Sequence, residues 1–321
     1  MGRLDFGAAR PEDASFWADV QTAVRPSAPV DPEVTRYWWD KTADNWIVER
    51  STIERDGAPI GLAVWEHPKW EIARDRWGGV GGELVPAQRD AATLGEVLHE
   101  MERRLAAQGA VRARTRANED DDLRIGVIGD LGYRESRRSR RWELDLVASR
   151  ERIVAMTRES RARMEREGIR LLTLADDPDP DRYRKVWRVS EEATHDIPTD
   201  EPHVEETLED YMRWFRAPDI REDRFWVARA GEDIVGVSVL DYPPVRGFVG
   251  TAWTGTGRAV RRRGIARALK CETLMQAIAL GVDRVRTGND AANDAILHIN
   301  ATMGYRPIAG AIGFVKDLAT R

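Results

Sequence analysis

Cysteine is nearly absent: Cys271 is the one cysteine in 321 residues. That excludes an intramolecular disulfide and makes the reducing cytoplasm the expected location. No histidine stands near Cys271 in the sequence to orient it, so it reads as a packed helical residue and not as a nucleophile. Long apolar runs are missing as well. No stretch approaches the roughly 20 apolar residues that cross a bilayer, and the opening Met1-Gly-Arg-Leu-Asp-Phe6 lacks the apolar core of a signal peptide. No membrane association is expected. Positive charge is not in excess: the net charge is −5, which argues against general nucleic-acid binding. The five histidines form no ligand-spaced cluster, so no metal is expected.

What is present is globular. Hydrophobic residues make up 42% of the chain and there are 12 Trp, enough for two domains that each bury a core. One stretch organises the rest, Gly250–Lys270, GTAWTGTGRAVRRRGIARALK. Its first seven residues are small, β-branched or aromatic, as in a strand, whereas Ile265, Ala268, Leu269, Leu274, Met275 and Ile278 recur at helical spacing. Between strand and helix, Gly264 and Ala266 keep side chains small where N–H groups at a helix start point outward, and the helix dipole favours an anion there. Arg261, Arg262 and Arg263 add forked positive donors. The stretch is suited to a pyrophosphate.

Two common phosphate loops do not fit. A Walker loop needs lysine after its second glycine, and Gly264 is followed by Ile265; the dinucleotide fingerprint starts at Gly255 and Gly257 but meets Val260 where its third glycine belongs. What remains, Arg261-x-x-Gly264-x-Ala266 after a strand, resembles the acyl-CoA pyrophosphate loop of the GNAT superfamily of N-acyltransferases. Further on come Thr287-Gly-Asn289, Asn293 and Ile299-Asn300-Ala-Thr-Met-Gly304-Tyr305. This order resembles the tandem members of that superfamily, such as the mycothiol synthases.

The tandem character is also internal to the chain. Gly109 and Gly281, Thr115 and Thr287, and Gly132 and Gly304 are each 172 positions apart (281−109, 287−115, 304−132). The same offset sets Trp142–Leu146 against Phe314–Leu318 as the closing strand of each half. The expected fold is therefore α/β, two tandem domains at 1–148 and 149–321, with a linker helix over 149–168. The resemblance implies that each is a mixed, mostly antiparallel twisted sheet flanked by helices. The first copy has lost its loop: Ala92 faces Gly264, Leu94 faces Ala266, and Asp90 adds negative charge where phosphate oxygens would lie. The Arg137–Arg141 run reads as the solvated edge of a strand.

The resemblance implies acetyl-CoA, or another acyl-CoA, as co-substrate and a small-molecule primary amine as acceptor, with direct transfer in the second domain of a monomer or homodimer. Cofactor-side residues would be Thr254, Gly255, Thr256, Arg261, Arg262, Arg263, Gly264, Ile265, Ala266, Asn289 and Asn293. Transfer needs a base for the amine and an acid for the departing thiolate. Many members of the superfamily carry the acid as a tyrosine where this chain has Asn300. Candidate catalytic groups are His195, Asp196, Glu201, His203 and Asp241 in loops, and Tyr305 in the Gly-aromatic turn, which also fits core packing. A non-catalytic acyl-CoA-binding or sensing protein is the alternative reading.

Overall fold

The structure is a computed structural model that describes residues 2–197 and 206–318. Along the first half run β1 (Leu4–Ala8), α1 (Ala14–Val24), α2 (Pro32–Asp40), β2 (Trp46–Arg55), β3 (Ala58–Pro68), β4 (Trp77–Leu84), α3 (Ala91–Ala107), β5 (Arg112–Asn118), α4 (Asp122–Asp130) and β6 (Arg134–Asp145). The linker is helical, α5 (Arg150–Arg166). There follow β7 (Ile169–Thr173), α6 (Arg182–Thr194), α7 (Leu208–Phe215), β8 (Phe225–Ala230), β9 (Asp233–Asp241), β10 (Val249–Thr256), α8 (Ile265–Ala279), β11 (Arg284–Asp290), α9 (Asp294–Met303) and β12 (Arg306–Asp317). On either side of α5 the order of strands and helices is the same, so the duplication read from residue offsets is a duplication of elements.

The chain packs as two compact units, Met1–Ser139 with Val245–Gly247 and Ala309–Arg321, and Arg140–Pro244 with Phe248–Ile308. This packing boundary does not follow the sequence repeat at 148/149, because the closing strands are exchanged. From Ala311↔Asn118 to Asp317↔Arg112, β12 pairs antiparallel with β5 of the first unit. Its buried Ile312 and Phe314 join the first core, whereas Trp142, Leu144 and Leu146 at the end of β6 join the second. The Arg137–Arg141 run falls inside β6.

In the first unit the strand order is β1-β2-β3-β4-β5-β12. All neighbours are antiparallel except β4 and β5, which are parallel and joined through α3. The β2–β3 hairpin turns at Asp56 and Gly57, both at positive φ (54° and 76°), the conformation that matches the twist of its strands and that this residue pair tolerates. Helix α3 buries Leu94, Val97, Leu98, Met101 and Leu105 on one stripe. The second unit has the order β11-β10-β9-β8-β7, again with one parallel pair, β10 and β11, bridged by α8. Among the described residues no helix is long and apolar enough to cross a membrane, and no group of three or more His, Cys, Asp or Glu is placed to hold a metal ion.

One buried carboxylate ties distant chain together in the first unit. Asp31 Oδ1 caps α2 by accepting from the N–H groups of Glu33 (2.8 Å) and Val34 (3.0 Å), and Oδ2 accepts from those of Val245 (2.7 Å) and Arg246 (2.9 Å). Burial pushes its pKa up, but the four N–H donors outweigh burial and hold it below the usual carboxylate value. A depressed carboxylate pKa stabilises the fold above the unfolded-state pKa and stops doing so as pH falls through the folded one. Asp31→Ala is expected to lower stability by about 2 kcal/mol at neutral pH, from a lost cap and two stranded donors. Urea denaturation should show that difference shrinking below about pH 4; a pH-independent difference would rule out the ionised carboxylate as its source.

Candidate functional site

The site in the second unit begins with a gap between strands. Parallel β10 and β11 pair at Val249↔Val285 and Gly250↔Arg286 and then part. On its other edge β10 pairs with β9, but the register slips between Thr251 and Trp253, leaving Ala252 as an extra residue. Such a slip re-aims the strand locally. The two faces of β10 are lined differently. A Cβ on Gly255 would lie 2.9 Å from Ala193 Cβ, so glycine lets α6 close onto that face. On the other face Thr254 hydrogen-bonds Ser238 (2.9 Å), and Lys270 of α8 reaches Thr251 Oγ1 (3.5 Å).

At the carboxyl end of β10 a short 3-10 turn, Arg258–Val260, leads to α8. Arg262 has φ 63° and Gly264 has φ 87°. The positive φ of Gly264 calls for glycine, and the Arg163 guanidinium lies beside it. Among the described residues no side chain caps α8, which leaves its first N–H groups at the positive end of the helix dipole without a side-chain partner. In the first unit the matching helix is capped by its own carboxylate, Asp90 accepting from Thr93 N–H at 2.8 Å.

Three arginines of the loop are held by acids. Arg258 makes a two-pronged pair with Asp196 (2.8 Å and 2.8 Å), joined there by Arg261, and Arg263 pairs with Glu167 (2.7 Å). Hydrogen bonds from Arg258 and Arg261 hold the Asp196 carboxyl well below the usual range; that makes it a weak base. Arg258 also donates its backbone N–H to Glu192 (2.7 Å). Sequence reasoning missed Arg258, which lies outside the six-residue loop pattern and is drawn in only because α6 ends beside it.

The remaining sequence candidates separate clearly. Asp241 closes β9 opposite Gly250, and its Oδ1 accepts from Gly250 N–H at 2.7 Å, on the face of β10 opposite Thr251. Burial, with the Asp219 carboxylate adding to it, pushes its pKa up to about 6. His195 is exposed at the end of α6. Glu201 and His203 lie outside the described residues. Tyr305 is buried in the second core, its ring 5.3 Å from Lys270 Nζ, and burial pushes its phenol up. Asn289 Oδ1, at the end of β11, accepts from Asn300 Nδ2 (2.8 Å), so the buried Asn300 orients one of the two expected cofactor-side asparagines. Asn293 starts α9 without a side-chain cap bond. Thr254, Gly255 and Thr256 lie along β10 beyond the parting, and Ile265 and Ala266 form the first turn of α8.

The same parting in the first unit is filled from within. Strands β4 and β5 pair from Trp77↔Arg112 to Gly79↔Arg114. Beyond that, the buried Arg124 of α4 donates to Gly82 O on one strand (2.8 Å) and to Arg116 O on the other (2.8 Å). Arg89, the counterpart of Arg261, is held by Glu83 (2.8 Å) and Asp121 (2.6 Å). The repeat offset places Ile296 at the position of Arg124, and Thr254 and Gly288 at those of Gly82 and Arg116. A guanidinium bridge of this kind has no counterpart at Ile296.

No protein-family model matches the sequence, and no curated protein matches it. Solved structures do. A tandem GNAT protein from the clavulanic acid biosynthesis pathway superposes with a TM-score of 0.75 at 13% identity, covering 99% of this chain and 100% of that one. A GCN5-related N-acetyltransferase from Sphaerobacter thermophilus gives 0.67 at 18% identity over 98% and 95% of the two chains. A putative acetyltransferase from Pyrococcus horikoshii gives 0.54 at 13% identity over 98% and 90%. Identity this low speaks to fold alone: the chain has the tandem GCN5-related N-acetyltransferase fold.

Proposed function

We propose that this chain is an acyl-CoA-dependent N-acyltransferase whose second unit transfers an acyl group, acetyl in the simplest case, directly to a primary amine of a small molecule. One observation carries the reading: in the second unit alone, the parted strands β10 and β11 stand beside an uncapped, arginine-flanked helix start, whereas in the first Arg124 and Asp90 fill both places. The residues present suit an acyl-CoA. The N–H groups of Ile265 and Ala266, with Arg261, Arg262 and Arg263, would hold its pyrophosphate. Thr254, Gly255 and Thr256 would line the pantetheine arm, with Asn289 and Asn293 on its other side. Bound there, it would supply a thioester activated for attack.

Asp241 is the base this geometry favours among the candidates. It stands at the last rung before the gap, bonded to Gly250 on the α6 face, and with a pKa of about 6 it is ionised at neutral pH yet more basic than an ordinary carboxylate. Backbone N–H groups near the Thr251–Trp253 slip would stabilise developing negative charge on the acyl oxygen. Asn300 cannot deliver a proton, and its place in the core favours a second reading, a protein that binds acyl-CoA without turnover.

Two measurements test the proposal. Calorimetric titration of acetyl-CoA is expected to give one equivalent bound, lost in an Arg263→Glu, Gly264→Asp double variant; absence of binding to the wild type would sink the proposal, and tight binding without turnover of any amine would select the second reading. In an active enzyme kcat/KM should rise with pH through about 6 as Asp241 deprotonates. Asp241→Asn should lower it about 100-fold and remove that limb, and a variant keeping both rate and limb would clear Asp241 of the role.

A further inference from the structure

Lys270 is out of place for a helix that packs on a sheet. It is 1% exposed, and among the described residues no carboxylate pairs with it. Burying an ammonium without a counter-ion is costly. Among the described residues its one hydrogen bond is to Thr251 Oγ1 at 3.5 Å, and the Tyr305 ring lies 5.3 Å from Nζ. Thr251 is the first residue of β10 past the last rung shared with β11, so the lysine reaches the apex of the gap through one hydroxyl. The other copy shows what packing alone selects there. At the repeat offset Lys270 matches Leu98, a fully buried core residue, and Thr251 matches Gly79. The polar pair occurs only in the unit whose gap is open.

We propose that Lys270 and Thr251 form the thiolate-receiving pair of the second unit, Thr251 as the catalytic residue at the sulfur and Lys270 as the positioning residue that supplies its proton. This rests on the acyltransferase reading and gives the leaving group the acid that Asn300 cannot be. As the C–N bond to the amine forms and the C–S bond breaks, the electron pair stays on sulfur. Thr251 passes its hydroxyl proton to that sulfur and takes one from the Lys270 ammonium, while Asp241, on the opposite face of β10, takes the surplus proton of the amine. Once the thiol leaves, Lys270 regains a proton from solvent and Asp241 loses one, so the cycle balances.

Burial pushes the Lys270 ammonium down to about 8, with Cys271 on the same helix acting in the opposite sense. That lies close to the value of about 8.5 for an ordinary thiol, which favours proton transfer in the direction required. The other groups facing Nζ are the Thr251 hydroxyl of β10 and the Tyr305 phenol; Glu272, the next carboxylate on α8, is engaged by Arg161.

The test uses free CoA, whose thiolate absorbs in the ultraviolet and reports its own titration in the complex. Full-length wild type, Lys270→Met and Thr251→Val are compared. In wild type the bound thiol should titrate below free CoA, and in Lys270→Met about one unit higher than in wild type, with Thr251→Val shifted in the same direction. Turnover should fall about 100-fold in Lys270→Met with KM for acetyl-CoA little changed. Its melting temperature should not drop, because methionine replaces an unpaired buried charge. CoA bound with the same thiol pKa in all three proteins overturns this inference and leaves the acyltransferase reading standing; failure of wild type to bind CoA overturns both. Should Lys270→Met fail to fold, Thr251→Val decides on the same thiol readout.

Discussion

Two parallel strands that part company leave a row of backbone N–H and C=O groups facing one another across a gap too wide for a ladder. In a protein interior such groups must find partners, and much of what distinguishes the two units follows from how each meets that requirement. The first inserts Arg124, whose planar guanidinium reaches a carbonyl on each strand at 2.8 Å. The second has an aliphatic residue, Ile296, at that position, and its strand edges remain for solvent or for a ligand with amide groups of its own. A pantetheine arm is such a ligand.

Charge obeys the same division. The first unit closes its circuits internally: Arg89 on Glu83 and Asp121, the start of α3 on Asp90. In the second no side chain among the described residues caps the helix start, and its flanking arginines hold partly exposed partners, Asp196 and Glu167. Pairs in that setting are screened and cheap to break. They keep Arg258, Arg261 and Arg263 extended near the loop without committing them, and an anion more highly charged than a carboxylate can compete for them.

How far all this was legible in sequence depended on whether the deciding contact was local. The hairpin at Asp56-Gly57, the strand-turn-helix around Gly264 and the constant offset between halves are properties of neighbouring residues or of residue order, and they read correctly. The exchange of closing strands did not, because the offset marks Trp142–Leu146 and Phe314–Leu318 as equivalent without saying which sheet each completes; only packing of the whole chain decides. Asp196 stood among candidate bases until Arg258 and Arg261 were seen to converge on it. Arg124 and Lys270 left no mark on periodicity, since one arginine or lysine in a helix normally reads as a solvated position. The offset held the missing signal: Arg124 aligns with isoleucine and Lys270 with leucine, and a charge that alternates with a core residue between copies of one fold is a charge buried for a reason.

Those two substitutions point in opposite thermodynamic directions. Arg124 satisfies backbone that the fold itself leaves bare, so it converts the gap into stability. Lys270 satisfies almost nothing: among the described residues it bonds only Thr251, and the second unit carries a buried ammonium where the first has leucine. A site holding donors at fixed positions before charge develops must keep them underused beforehand, and the instability so stored is what lets it act without reorganising. On the acyltransferase reading, similar element orders with unequal polar interiors are what a division of labour between the two units would require: a filled gap in one and underused donors in the other.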